Sequence, residues 1–258
     1  MAIKINWKDL QKRIINWKEV EKVMCNWVQI RPEQQWPFPD WLHVPTYAEM
    51  NTLLYIMNEY NYGISDYEEY LHMPQIHPLS TDGETSNAYP QYWTSGSQRY
   101  PSQIYGYPVY LFKTLIFNSF SWIAINDVFS VRASSLRLFA HEYDPEGDRR
   151  EIANWISYDA TQWLIYVTDW TYWRIISDKN FGATTVYNRG DTITQANGGY
   201  LYQWWNCYGF PITWATKTSS TQVDTTGYGN WNYYTDDTFI AVWGNANWFS
   251  PDNTTLRP

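Results

Sequence analysis

Cysteine is nearly absent from this sequence: Cys25 and Cys207 are the two in a chain of 258 residues. Two thiols are too few for a disulfide scaffold or a cysteine-based zinc site. The four histidines, His43, His72, His77 and His141, fit no metal-ligand spacing. No apolar run approaches the roughly 20 residues that span a bilayer. The opening Met1-Ala2-Ile3-Lys4-Ile5-Asn6 has no signal-peptide core, so neither a signal peptide nor membrane insertion is expected. G-x-S-x-G, a Gly-rich phosphate loop and His-Glu-x-x-His are all missing. The expectation is a chain that is not an enzyme and needs no metal or cofactor.

Charge is also sparse, at 17% of residues, against about a quarter in ordinary domains. Aromatic side chains are abundant instead: 17 Trp, 23 Tyr and 10 Phe. That balance excludes disorder, which goes with few aromatics and many charges. The net charge is −8, yet residues 1–31 carry seven Lys/Arg against three Asp/Glu, which leaves −12 for the remainder. An acidic body repels phosphates, so nucleic acid is not an expected partner.

Residues 1–31 are a repeat. Ile5-Asn6-Trp7, Ile15-Asn16-Trp17 and Cys25-Asn26-Trp27 recur every ten residues, with alternating Lys and apolar positions between them. The period of two predicts a short β-meander with turns at Asn, an arm whose edges would favour self-association. The expected partner of Asn in such a turn is Gly, and here it is Trp each time. Either these Trp side chains stack on one another, or the codon behind them is one that some genetic codes read as glycine. Seventeen Trp against thirteen Gly suits the second view, as do Asp40-Trp41, Asp169-Trp170 and Asn230-Trp231 at turn-like positions.

After a Pro-rich linker, Thr46 and Glu49 form a T-x-x-E capping box, followed by Met50, Leu53, Leu54 and Met57 at helical spacing. His43 is expected to pack at this helix start. Ser65 with Glu68 predicts the cap of a second helix that ends before Pro74. Strands are predicted over Val109–Phe112, Leu115–Phe117, Val128–Arg132 and Leu136–Phe139.

These landmarks, in this order, resemble a C-type-lectin-like fold, and more closely the FISUMP-type domains and the variable proteins of diversity-generating retroelements. The residues that carry the likeness are His43-Val44-Pro45 to Glu49, Tyr92-Trp93-Thr94-Ser95, and Arg132-Ala133-Ser134-Ser135-Leu136-Arg137. The last departs from the family pattern in lacking its Gly-Phe pair. Ile176–Thr184 and Tyr202-Gln203-Trp204 to Asn206 look like the front half of the same domains. Here they follow the helix rather than precede it, as in a circular permutation or in one domain plus part of another. The implied class is α+β, β-rich with two helices. Its segments are an arm over 1–31, a lectin-like segment with helices and variable strands over 32–142, and a second lectin-like segment over 143–258 packed with it.

The resemblance implies an adaptable binding surface on the strands before the Arg-rich one. Residues 99–129 hold nine aromatics and three charged side chains, a composition like that of antibody paratopes. Most residues there are also reachable from an Asn codon by changing its adenines. The candidate ligand-binding residues are Tyr92, Arg99, Tyr100, Gln103, Tyr105, Tyr107, Lys113, Phe117, Phe120, Trp122 and Asp127, with a protein or glycan as ligand. The bland alternative is that they are core, and by period about half must be. Arg132 and Arg137 are read as making buried hydrogen bonds that anchor the last strand. Asn126-Asp127 resembles the calcium pair of sugar-binding lectins but lacks its Glu-Pro-Asn partner, and Asp144–Asp148 reads as a solvated acidic loop. A viral tail or receptor-binding protein without diversification is one alternative function. The other is an oxidase of the formylglycine-generating type, which the lack of a cysteine pair disfavours.

Overall fold

The computed structural model describes residues 42–80, 83–85, 87–100, 109–118, 122–129, 132–140, 149–169, 171–203, 206, 208–224, 236–241 and 249–250. Of residues 96–100, 109–111, 122, 129 and 249–250 it describes the backbone. The arm over 1–31, both cysteines, the acidic loop Asp144–Asp148 and the candidates Gln103, Tyr105, Tyr107 and Phe120 lie outside the described residues.

Helix α1 runs Tyr47–Glu59 behind the Thr46 capping box. The Glu49 N–H donates to Thr46 Oγ1 (3.2 Å) and the Thr46 N–H to Glu49 Oε2 (2.8 Å). Together they satisfy two of the donors that a helix start leaves open. Met50, Leu53 and Met57 are buried, as the spacing predicts, and Ile56 joins them while Leu54 is half-buried. Helix α2 (Ile64–Tyr70) starts two residues earlier than a cap at Ser65 would place it. Its cap is Gly63, whose N–H donates to the Asp66 carboxylate (2.7 Å), so Ser65 sits inside the first turn. Glycine is accepted at this position, and Asp66 takes the reaching-back role assigned to Glu68. A third, four-residue helix, α3, spans Gln195–Gly198.

The class is α+β, β-rich with several sheets. One antiparallel sheet joins β1 (Leu42–His43), β6 (Arg137–Ala140), β10 (Trp173–Asn180), β9 (Leu164–Thr168), β8 (Ile156–Asp159) and β7 (Arg150–Ala153), in that spatial order. A five-stranded sheet runs β11 (Leu201–Gln203), β5 (Ala133–Ser135), β2 (Gln91–Tyr100), β3 (Val109–Asn118), β4 (Trp122–Phe129). Two parallel pairs complete it: β12 (Lys217–Ser219) with β14 (Thr238–Ile240), and β13 (Val223–Asp224) with β15 (Phe249–Ser250). Both large sheets take strands from each side of residue 142: β10 pairs with β6, and β11 with β5.

Val109–Phe112 and Leu115–Phe117, expected as two strands, are one continuous strand, β3. The expected strand Leu136–Phe139 instead begins with the residue at which the chain leaves the five-stranded sheet at Ser135 and enters the six-stranded one at Arg137. Helix α1 packs against β9 and β10 of one sheet and against β2, β3 and β4 of the other. The core on that side joins Met50, Leu53, Ile56, Met57 and Tyr67 to Leu115, Phe117, Phe139, Ile165 and Ile176. Each fully buried side chain of this size stabilises the fold by about 1.5–3 kcal/mol.

Candidate functional site

Strands β2, β3 and β4 form an antiparallel meander, and its register decides where each candidate sits. Along one face, Tyr92 lies opposite Leu115, Leu115 opposite Ile125, and Phe117 opposite Ile123. All five pack into the helix-side core. Tyr92 and Phe117 are both 0% exposed. Phe117 meets Tyr67 (5.5 Å, 83°) and Tyr92 (5.8 Å, 71°) edge-to-face. The Tyr92 hydroxyl donates to the Pro74 carbonyl (2.7 Å) and accepts from Asn180 Nδ2 (3.3 Å). Burial pushes that hydroxyl up to about 12, against opposing contributions from Arg137 and Asn180. The reading of Tyr92 and Phe117 as ligand-binding residues is therefore corrected: alternation turns both toward α1 and α2, and they are core.

The opposite face of the meander is also covered. Trp93, Phe112, Ile116 and Val128 are buried with Leu42, Leu136, Leu138 and Tyr202. Trp93 Nε1 donates to the Tyr202 carbonyl (2.6 Å) and its ring meets Phe112 edge-on (6.3 Å).

Two residues along β3 from Leu115, on the helix-facing side, the row changes from apolar to ionic. Lys113 lies opposite Asp127, and Lys113 Nζ is 2.8 Å from Asp127 Oδ1, with side chains 16% and 24% exposed. Lys113 Nζ also stands 5.8 Å from the ring centroid of Tyr47, a residue 45% exposed at the start of α1. Pairs with this access to water contribute about 0.2–1 kcal/mol, so the pair organises a surface more than it stabilises the core. Nearby, Glu49 receives the Thr46 backbone N–H and lies 2.9 Å from His43 Nε2 through both oxygens. Burial raises its carboxyl, but the His43 and Thr46 hydrogen bonds outweigh that and hold it at about 2. His43 does pack at the helix start, its ring edge-on to Phe139 (6.5 Å).

The remaining described candidates fall at opposite ends of the meander. Arg99 lies opposite Tyr110 and Tyr100 opposite Val109, where β2 ends and β3 begins. Trp122 lies opposite Asn118, at the far end of β3. Ten residues of strand separate these ends, about 30 Å at roughly 3.3 Å per residue. The register sets Arg99 and Tyr100 at one end and Trp122 at the other, with Lys113 and Asp127 near the middle of the meander, four residues along β3 from Val109 and five from Asn118.

A second polar cluster is sealed inside. Arg137 is fully buried; Nη1 donates to the Ser177 carbonyl (2.7 Å) and Nη2 to the His72 carbonyl (2.5 Å). It ties the sheet-switching strand to β10 and to the segment after α2, the anchoring role read from the sequence. Asp178 and Lys179 are buried close enough for their charges to act with that of Arg137. Asp178 Oδ2 accepts from the Tyr158 hydroxyl (2.9 Å), and Lys179 Nζ lies 4.0 Å from Asp178 Oδ1 and 4.4 Å from the Trp163 ring centroid. Burial raises the Asp178 carboxyl and lowers the Lys179 ammonium, each partly offset by the other's charge. Burial likewise lowers His72, with the Arg137 charge acting in the same direction. Arg137 and Asp178, both almost wholly buried, bond across elements and so tie them together.

The legible signal for this cluster was the polar run Ser177-Asp178-Lys179-Asn180 directly after Ile175-Ile176, which a half-exposed strand would have interrupted with apolar residues. Gln203, from the other family-like stretch, is buried and bonds Ile240 in both directions: Nε2 to its carbonyl (3.1 Å), its N–H to Oε1 (3.0 Å). Among the described residues no group of three His, Cys, Asp or Glu is placed to hold a metal ion, and no helix is long and apolar enough to cross a membrane. No protein-family profile, curated protein or solved structure matches this chain.

Proposed function

We propose that this chain is a non-enzymatic binding protein of C-type-lectin-like architecture, a relative of retroelement-diversified variable proteins. Its adaptable surface lies at the Arg99–Tyr100 end of the β2–β3–β4 meander. The observation that carries this reading is the change along one face of β3. Leu115 and Phe117 are filled against the helices, and two residues from Leu115 the Lys113–Asp127 row is partly exposed, at 16% and 24%, beside exposed Tyr47. A fixed hydrophobic footing thus passes directly into a water-accessible, aromatic and charged row. The connection 101–108, with Gln103, Tyr105 and Tyr107, joins the two strand ends at that same side. Tyrosines there supply contact area at low conformational cost, and the small polar residues between them adapt. The ligand class is a protein or a glycan, since aromatic surfaces serve both.

Sequencing the gene across its source population tests the reading. Amino-acid changes at adenine-bearing codons are expected at Arg99, Tyr100, Gln103, Tyr105, Tyr107 and around Lys113, and to skip Tyr92, Trp93, Leu115 and Phe117, where a changed side chain would break the core. A window no more variable than the rest of the gene refutes diversification and leaves a fixed binding or virion-structural role.

A further inference from the structure

Four described residues other than glycine have positive φ: Asn61 (56°), His72 (51°), Trp155 (63°) and Trp163 (57°). Asn and His are among the side chains that tolerate the left-handed region, whereas a bulky residue there is an outlier. The two tryptophans share a position. Trp155 is the last residue before β8, in the tight turn Asn154-Trp155 that follows β7, with a register shift between Glu151 and Ala153. Trp163 is the last residue before β9, closing the loop in which Asp159 Oδ1 accepts the Thr161 (2.8 Å) and Gln162 (3.0 Å) N–H groups. A left-handed residue ending a short hairpin loop, often with a bulge, is the place that glycine fills.

The tryptophans of this chain therefore fall into two kinds. Trp93 sits in a strand, 2% exposed, with its indole N–H used; the side chain is needed. At Trp155 and Trp163 it is the backbone conformation that is needed. Two codons sharing one letter in the written sequence would produce that division. We propose that Trp155 and Trp163 are glycines in the cell that makes this protein, their UGA codons being read as glycine, while Trp93 is a true tryptophan encoded by UGG. The same reading turns Asn6-Trp7, Asn16-Trp17 and Asn26-Trp27 into Asn-Gly, the strongest short hairpin signal, and accounts for the ten-residue repeat. It also removes the rings at 155 and 163 from any count of aromatic contacts, including those to Tyr60 (5.4 Å) and Lys179. The inference is independent of the binding role.

The test is tandem mass spectrometry of the tryptic peptide Glu151–Arg174 from protein purified from its native cells, read beside the peptide containing Trp93. Glycine masses at 155 and 163 with tryptophan at 93 are expected. Tryptophan at either turn position, glycine at 93, or UGG at codon 155 or 163 in the gene would overturn the proposal.

Discussion

The carboxylate at the start of α1 offers a quantitative test of how local chemistry stabilises this fold. Glu49 is held at about 2 against an ordinary 4.5. At about 1.4 kcal/mol per pH unit that shift bounds its contribution at about 3 kcal/mol. The side chain is 26% exposed, and solvent screening brings the expected value to about 1–2 kcal/mol. Because the folded value is depressed, the stabilisation is fully present above about pH 4.5 and is lost as pH falls toward about 2. Glu49→Gln separates charge from capping, since glutamine can still reach back to the Thr46 N–H. Urea unfolding followed by circular dichroism should place the variant about 1–2 kcal/mol below the parent at about pH 6. The gap should narrow steadily below about pH 4.5 as the parent's carboxylate is protonated. A gap that stays constant with pH would refute the argument and assign the loss to packing.

Three other substitutions probe the interior. Arg137→Met removes the fully buried guanidinium bonded to the Ser177 and His72 carbonyls; leaving those carbonyls unpaired should cost about 1–3 kcal/mol each in denaturant titration. Gln203→Leu strands the Ile240 N–H and carbonyl, so a loss of about 1–3 kcal/mol is expected, with faster limited proteolysis around 236–241. Tyr92→Phe keeps the ring against Phe117 but gives up the bond to the Pro74 carbonyl. It should cost about 1 kcal/mol in thermal unfolding, whereas a surface residue would give no change.

How far the sequence reached can be judged from particular elements. The cap and start of helix α1 and its buried Met50, Leu53 and Met57 were legible because each is set by residues three or four apart, while Ile56 in place of Leu54 was not. The cap of α2 was misread by two positions, since glycine caps without a side-chain signal. Within the aromatic window, composition carries no facing. Tyr92 and Phe117 were indistinguishable from Tyr100 until the register set them opposite Leu115 and Ile123.

Local patterning by itself determined the α+β class and the capped start of α1, because each depends on neighbours in the chain. Tertiary structure alone decided that β6 and β10, about forty residues apart in sequence, lie side by side. It alone set Asp178 and Lys179 inside and divided the candidate residues between two ends of one meander. Pairing register and burial arise from contacts between distant segments, and a one-residue slip would reverse every facing.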